Sequence, residues 1–174
     1  MVRDATAEDA EALALVHATS WRETYTGLLR ESVIANFAYE RTLARWRERL
    51  PTTPPQAVLV WDDPPAGYVY CGREREGDPS YRGEVYAIYI PAARHGQGGG
   101  RALMSAAARR LAEAGMTSML VWVLRENQGA RAFYERLGGV FLREKPLGWP
   151  GSEDAVEVAY GWADTAALRS GAAG

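Results

Sequence analysis

The sequence has few of the residues that build cross-linked or metal-held frameworks. Cys71 is its only cysteine, so no internal disulfide can form and a cysteine-based zinc site is not expected. The two histidines, His17 and His95, are too few and too isolated to suggest a metal centre. No apolar run approaches the ~20 residues of a membrane-spanning helix. The start, Met1 to Asp9, turns acidic at once and lacks the apolar stretch of a signal peptide. Charge of one sign is missing too. Twenty Lys and Arg stand against twenty-two Asp and Glu, a net charge of -2, which leaves no broad field for nucleic acid or anionic lipid. The expectation is a cytoplasmic protein with neither nucleic acid nor membrane as partner.

What is present is ordinary globular material, 47% hydrophobic and 24% charged, which argues against disorder. A chain of 174 residues fits one domain, expected over 1–162, with a small, polar tail over 163–174 that frays. Internal repeats and low-complexity tracts are absent. Helix is expected from Thr6, where Thr6 or Asp9 caps a face made of Leu13, Val16, His17, Trp21 and Tyr25. A second helical stretch covers roughly Glu31 to Leu50. The period then changes, and Ala57–Trp61 and Tyr68–Cys71 read as a hairpin. Glu84–Ile90 is β-branched and aromatic, and Pro91 ends it. A helix over about 100–114 follows, then the unbroken apolar run Met119–Leu124, the pattern of a strand covered on both faces. Asn127 caps a short helix that Gly138 and Gly139 terminate, and strands near 140–143 and 155–160 complete the order. The unit from Glu84 to Leu124 is expected to be a right-handed crossover between parallel neighbours. The class is therefore α/β (α+β), with a mixed sheet between helices on both faces.

Arg94-His95-Gly96-Gln97-Gly98-Gly99-Gly100-Arg101 lies between a strand end and a helix start. Glycines there let backbone N–H groups converge, and the helix N-terminus adds unpaired donors and partial positive charge. Such a loop is either a phosphate cradle or a flexible turn. It is not a P-loop, because Gly100 is followed by Arg101 and Ala102 rather than Lys-Ser/Thr. Nor is it the dinucleotide fingerprint, whose third glycine would fall on Arg101.

The spacing [Gln/Arg]-x-x-Gly-x-Gly/Ala does fit, with His95 in the usual Gln/Arg place. Here the chain resembles the GNAT superfamily of N-acetyltransferases, which use acetyl-CoA. The segment Asn127 to Gly139 is similar to that family's Asn-x-x-Ala-x-x-Phe-Tyr-x-x-x-Gly-Phe, matching at every fixed position except the last, where Gly139 stands for Phe. The opening Val2-Arg3-Asp4-Ala5-Thr6 and the Trp21-x-x-x-Tyr25 pattern extend the resemblance from Val2 to about Trp162.

The resemblance implies the GNAT fold, a mostly antiparallel twisted sheet of six to seven strands with one parallel βαβ crossover. It implies direct acetyl transfer from acetyl-CoA to a primary amine of a small molecule or peptide, with no metal. Backbone groups of Ile88, Tyr89 and Ile90 would bind the pantetheine and polarise the acetyl carbonyl. Gly96, Gln97, Gly98, Gly99, Gly100 and Arg101 would hold the pyrophosphate, and Asn127 the pantetheine region. Tyr134 would protonate the departing sulfur. Glu84 is the candidate base; a solvated strand-edge carboxylate and a water chain without a dedicated base stand beside it. Trp21 and Tyr25 either border the acceptor groove or pack in the core. Cys71 reads as a small buried hydrophobe. Polyamines, aminoglycoside-like amines, amino acids and protein N-termini all remain open as acceptors. A longer acyl-CoA donor and a CoA-binding sensor with a decayed active site are the alternative readings. A homodimer is common in the family, and no residue here establishes it.

Overall fold

The structure is a computed structural model and describes residues 1–171. Seven strands form one sheet: β1 (Val2–Asp4), β2 (Ala57–Trp61), β3 (Gly67–Arg73), β4 (Gly83–Tyr89), β5 (Met119–Leu124), β6 (Val140–Pro146) and β7 (Val156–Trp162). Their order is β1-β2-β3-β4-β5-β7-β6, and only β4 and β5 run parallel. Between them lies α4 (Gly99–Glu113), the expected crossover helix. The mixed, mostly antiparallel sheet with helices on both faces is as expected, and β1 brings the strands to seven. At three residues β1 is too short to show a period; its pairing with Leu59, Val60 and Trp61 makes it a strand.

Alternation along the strands sorts the core. On β2, Ala57, Leu59 and Trp61 face a cluster under α4, whereas Val58 and Val60 face one under α1 (Ala10–Tyr25) and α3 (Tyr39–Arg49). Every residue of β2 is buried, as a strand covered on both faces requires. Arg110 ties α4 to β1 through two bonds to Asp4, at 2.6 and 2.9 Å. Asp9 anchors the entry to α1: its carboxylate accepts from the Thr6 N–H at 2.7 Å and from Arg3 at 2.7 and 2.9 Å. The Arg3 guanidinium holds the Asp9 carboxyl below its usual range.

Two expectations are corrected. The stretch from Glu31 to Leu50 is not one helix but α2 (Glu31–Ile34), a single tight turn over Ala35–Phe37, and α3, with Ala38 extended between them. Phe37 and Trp46 are nine residues apart, about half a turn out of phase on a continuous helix. The break lets Phe37 stack on Trp21 at 3.8 Å while Trp46 is buried beside α1. The second correction concerns the end of the chain. Residues 163–169 do not fray: α6 (Ala166–Arg169) follows the fully buried Thr165, and Leu168 is buried against α4. Residues 172–174 lie outside the described residues. No helix among the described residues is long and apolar enough to cross a membrane.

The feature that opens the sheet is local. Parallel pairing of β4 with β5 runs from Gly83–Met119 to Val85–Val121 and stops there. At the same level the register of β3 with β4 slips: Cys71 faces Val85 but Tyr70 faces Ala87, so Tyr86 is an extra residue, a bulge. Beyond it β4 continues with β3 and β5 with β7, and the two parallel strands no longer pair.

The helix α5 (Gln128–Arg136) closes over this opening and is fixed to β7. Trp162 Nε1 donates to the Leu137 carbonyl at 2.9 Å, and the Tyr160 hydroxyl donates to Glu135 at 2.6 Å while accepting from Arg131 at 3.1 Å. Gly139 permits the close approach, since a Cβ there would lie 2.7 Å from the Trp162 ring and 3.0 Å from the Tyr134 carbonyl. This accounts for glycine where the resembled motif has Phe. Gly139→Ala is expected to destabilise the fold by about 1–3 kcal/mol through overpacking, read as a lower denaturant midpoint at unchanged m-value.

Candidate functional site

A cleft of about 480 Å³ runs along the unpaired end of β4. One end is the glycine turn, including Gly96, Gly98, Gly99, Gly100 and Arg101. Ile88, Tyr89 and Ile90 line it, as do Asn127, Phe133 and Tyr134 of the α5 segment, and both Phe133 and Ile90 reach the Gly100 end. Ser20 and Thr24 of α1 also line it. Thus nine of the ten residues expected to bind the cosubstrate lie in one cleft together with Tyr134. Gln97 is the exception. It is exposed outside the lining, and its amide reaches back to the Ala93 carbonyl at 3.4 Å.

The turn leaves backbone donors unpaired. Gly98 caps α4 at φ +84°, a left-handed conformation that glycine adopts without strain. The first helical bond is Ala102 N–H to Gly98 O at 3.0 Å, so the amides just before Ala102 have no intrahelical partner. Gly99 lets the turn sit on Trp61, where a Cβ would come within 2.5 Å of the indole. His95 holds the turn to the strand end through Nε2 and the Ile90 carbonyl at 2.7 Å. Arg94, bonded to Asp62 at 2.7 Å, adds positive charge to the same end of the cleft.

Asn127 and Tyr134 are presented by one short helix. The Asn127 Oδ1 accepts from the Ala130 N–H at 3.1 Å, which starts α5 and leaves the side-chain amide N–H groups to point elsewhere. Tyr134 is 5% exposed. Burial, with Tyr25 nearby, pushes its phenol above the ordinary tyrosine range, so it stays protonated at neutral pH. Cys71 is buried, its thiol pushed up to about 12, which suits packing and not nucleophilic attack.

Glu84 is not brought into the cleft. It is 2% exposed, and Arg75 grips both carboxylate oxygens, at 2.5 Å to Oε1 and 3.1 Å to Oε2, with the Arg75 backbone N–H adding a third bond. It therefore serves as the buried half of an ion pair closing the β3–β4 loop. Glu157 on β7 is another carboxylate, raised above the usual range by burial against the opposing pull of Lys145. Glu157 is not in the cleft lining either. Among the described residues no group of three or more His, Cys, Asp or Glu side chains could hold a metal ion.

Trp21 and Tyr25 belong to an aromatic cluster next to the cleft and do not line it. Trp21 stacks on Phe37 and meets Tyr25 at 4.3 Å, and Trp149 of the β6–β7 loop lies over it at 5.7 Å. His17 sits among Trp21, Phe37, Tyr68 and Tyr89, with Nδ1 2.6 Å from the Tyr68 hydroxyl. Burial, helped by Arg45 and Arg49, lowers its pKa from 6.5 to about 4. His17 is therefore neutral in the fold.

Comparison with known proteins agrees with this geometry. The Acetyltransferase (GNAT) family model matches residues 18–139. The N-acetyltransferase YuaI of Bacillus subtilis (strain 168) is 34% identical over 164 residues, covering 86% of this chain and 92% of that protein. Among solved structures, PaiA N-acetyltransferase from Thermoplasma acidophilum in complex with coenzyme A superposes with a TM-score of 0.70 at 20% identity, over 92% of this chain and 96% of that one. YncA from Salmonella typhimurium, with acetyl-CoA bound, gives 0.69 at 19% identity, over 93% and 92%. At those identities the likeness is one of fold.

His17 imposes a pH dependence on stability. Above about pH 6.5 it is neutral whether folded or not and contributes no slope. Between 6.5 and about 4 the unfolded chain takes up a proton that the folded chain refuses. Stability is expected to fall with decreasing pH across that window, by up to ~3 kcal/mol. Denaturation curves at pH 7, 6, 5 and 4 check this, and His17→Phe should remove that component of the slope.

Proposed function

Because the chain belongs to the acetyltransferase (GNAT) family, we propose that its cleft holds acetyl-CoA and passes the acetyl group directly to the primary amine of a small molecule or peptide. The observation that carries this reading is that an unpaired strand end, a turn of free amides and a buried protonated tyrosine share one cleft. The amides just before Ala102, with Arg94 and Arg101 beside them, suit a pyrophosphate. The backbone of Ile88, Tyr89 and Ile90 suits the amide groups of a pantetheine arm, laid down where β5 would otherwise pair. The side-chain N–H groups of Asn127 face the same arm from across the cleft.

A thioester needs little activation, but three charges must be managed. The amine must be neutral to attack, and its proton leaves through water. As the C–N bond forms, an electron pair moves onto the carbonyl oxygen, where backbone N–H groups of β4 stabilise it, and the now cationic nitrogen gives a second proton to water. When that pair returns, the C–S bond breaks and the sulfur takes the phenolic proton of Tyr134, which is then restored from solvent. Burial keeps Tyr134 in the acid form this step uses. Glu84 is not the base in this account, because Arg75 engages it outside the cleft.

Tyr134→Phe separates chemistry from binding. The ring remains and only the acid is lost, so kcat for thiol release should fall about a hundredfold or more, with acetyl-CoA affinity unchanged within about twofold. An undiminished kcat removes Tyr134 from the mechanism.

A further inference from the structure

Ser20 is the one residue of α1 that is both buried and unpartnered in the cleft wall. It is 2% exposed, it lines the cleft, and its Oγ has no hydrogen-bond partner. A serine inside a helix ordinarily settles its hydroxyl on the carbonyl four residues back. Thr26, just past the end of the same helix, does so, donating to the Arg22 carbonyl at 2.7 Å. Ser20 does not. Alanine at this place would favour the helix and leave no polar atom unsatisfied, so the fold alone gives no reason for a hydroxyl here.

Its position in the cleft says what the hydroxyl meets. Ser20 and Thr24 are the residues that α1 contributes to the cleft lining, which Tyr89 of β4, Tyr134 of α5 and the glycine turn share. Tyr134 is the group assigned to the thioester sulfur, and the atom bonded to that sulfur carries the carbonyl oxygen. A hydroxyl is a hydrogen-bond donor of the right kind for that oxygen. We infer that Ser20 Oγ–H donates to the carbonyl oxygen of the bound thioester, a side-chain complement to the backbone donors of β4. In the transfer step the bond strengthens as the electron pair moves onto oxygen, and relaxes when the pair returns and the C–S bond breaks; Ser20 itself neither loses nor gains a proton.

This inference rests on the acetyl-CoA reading, and the test keeps the two apart. The full chain and its Ser20→Ala variant are each titrated calorimetrically with acetyl-CoA and with CoA, which lacks the carbonyl. Acetyl-CoA affinity should fall about three- to tenfold on substitution while CoA affinity stays the same. The ligand-free variant should melt at a temperature equal to or above wild type, since the orphaned hydroxyl is gone. Equal effects on both compounds, or none on acetyl-CoA, overturn the assignment, as does a lower melting temperature, which would give Ser20 a structural bond. If the wild-type chain binds neither compound, the acetyl-CoA reading fails and Ser20 falls with it. Wild-type binding of both, with no difference in the variant, removes Ser20 alone.

Discussion

The molecule depends on a pairing that is not made. β4 and β5 share three register pairs and then part at Val85 and Val121, and the cleft opens along that gap. The bulge at Tyr86 is its cause on the β4 side. The alternation breaks there: Val85 and Ile88, three apart, both face the core under α4, while Ala87 and Tyr89 face the core under α1. Tyr86 is held in this irregular place by its hydroxyl, which donates to the Arg73 carbonyl at 2.6 Å. Backbone polar groups facing an open gap need partners. A ligand that lies between the strands and offers amide groups supplies them, which is why the gap reads as a binding site and not as a defect in the sheet.

The walls of the gap are fixed by ordinary packing and hydrogen bonding. On one side the glycine turn is pressed onto Trp61 and pinned to the strand end by His95. On the other, Arg131, Tyr160 and Glu135 join α5 to β7, and Trp162 bonds the helix end. Because Asn127 caps α5 and Tyr134 lies within it, one anchored helix sets the position of two cleft-lining side chains together. The third wall, α1, is held by an aromatic cluster in which His17 is kept neutral. The cleft is thus lined by anchored elements, and the β6–β7 loop with the partly exposed Trp149 lies at the rim of that cluster.

Much of this was legible in the sequence. The unbroken apolar run of β5 gave its bounds to the residue, Asn127 announced the start of α5, and the glycine turn lines the cleft as its spacing suggested. What escaped was non-local. Periodicity describes which way a side chain faces and not whether a neighbouring strand is present, so the gap could not be read from β4 or β5 alone. Glu84 looked free because its partner, Arg75, sits nine residues earlier in a loop with no pattern of its own. The break before α3 had a readable sign in the opposed phases of Phe37 and Trp46. So did Ser20, a hydroxyl on the buried stripe of α1 that carries Val16 and Trp21.

If the cosubstrate lies in the gap between β4 and β5, the backbone lining that gap responds to it. Hydrogen–deuterium exchange of the full chain, with and without saturating acetyl-CoA, tests it at the backbone. Amides of residues 86–90 and 96–101 are predicted to slow on addition of acetyl-CoA, with β1, β2 and β6 unaffected. Protection confined to other parts of the chain, or none at all in a folded protein, would contradict the account.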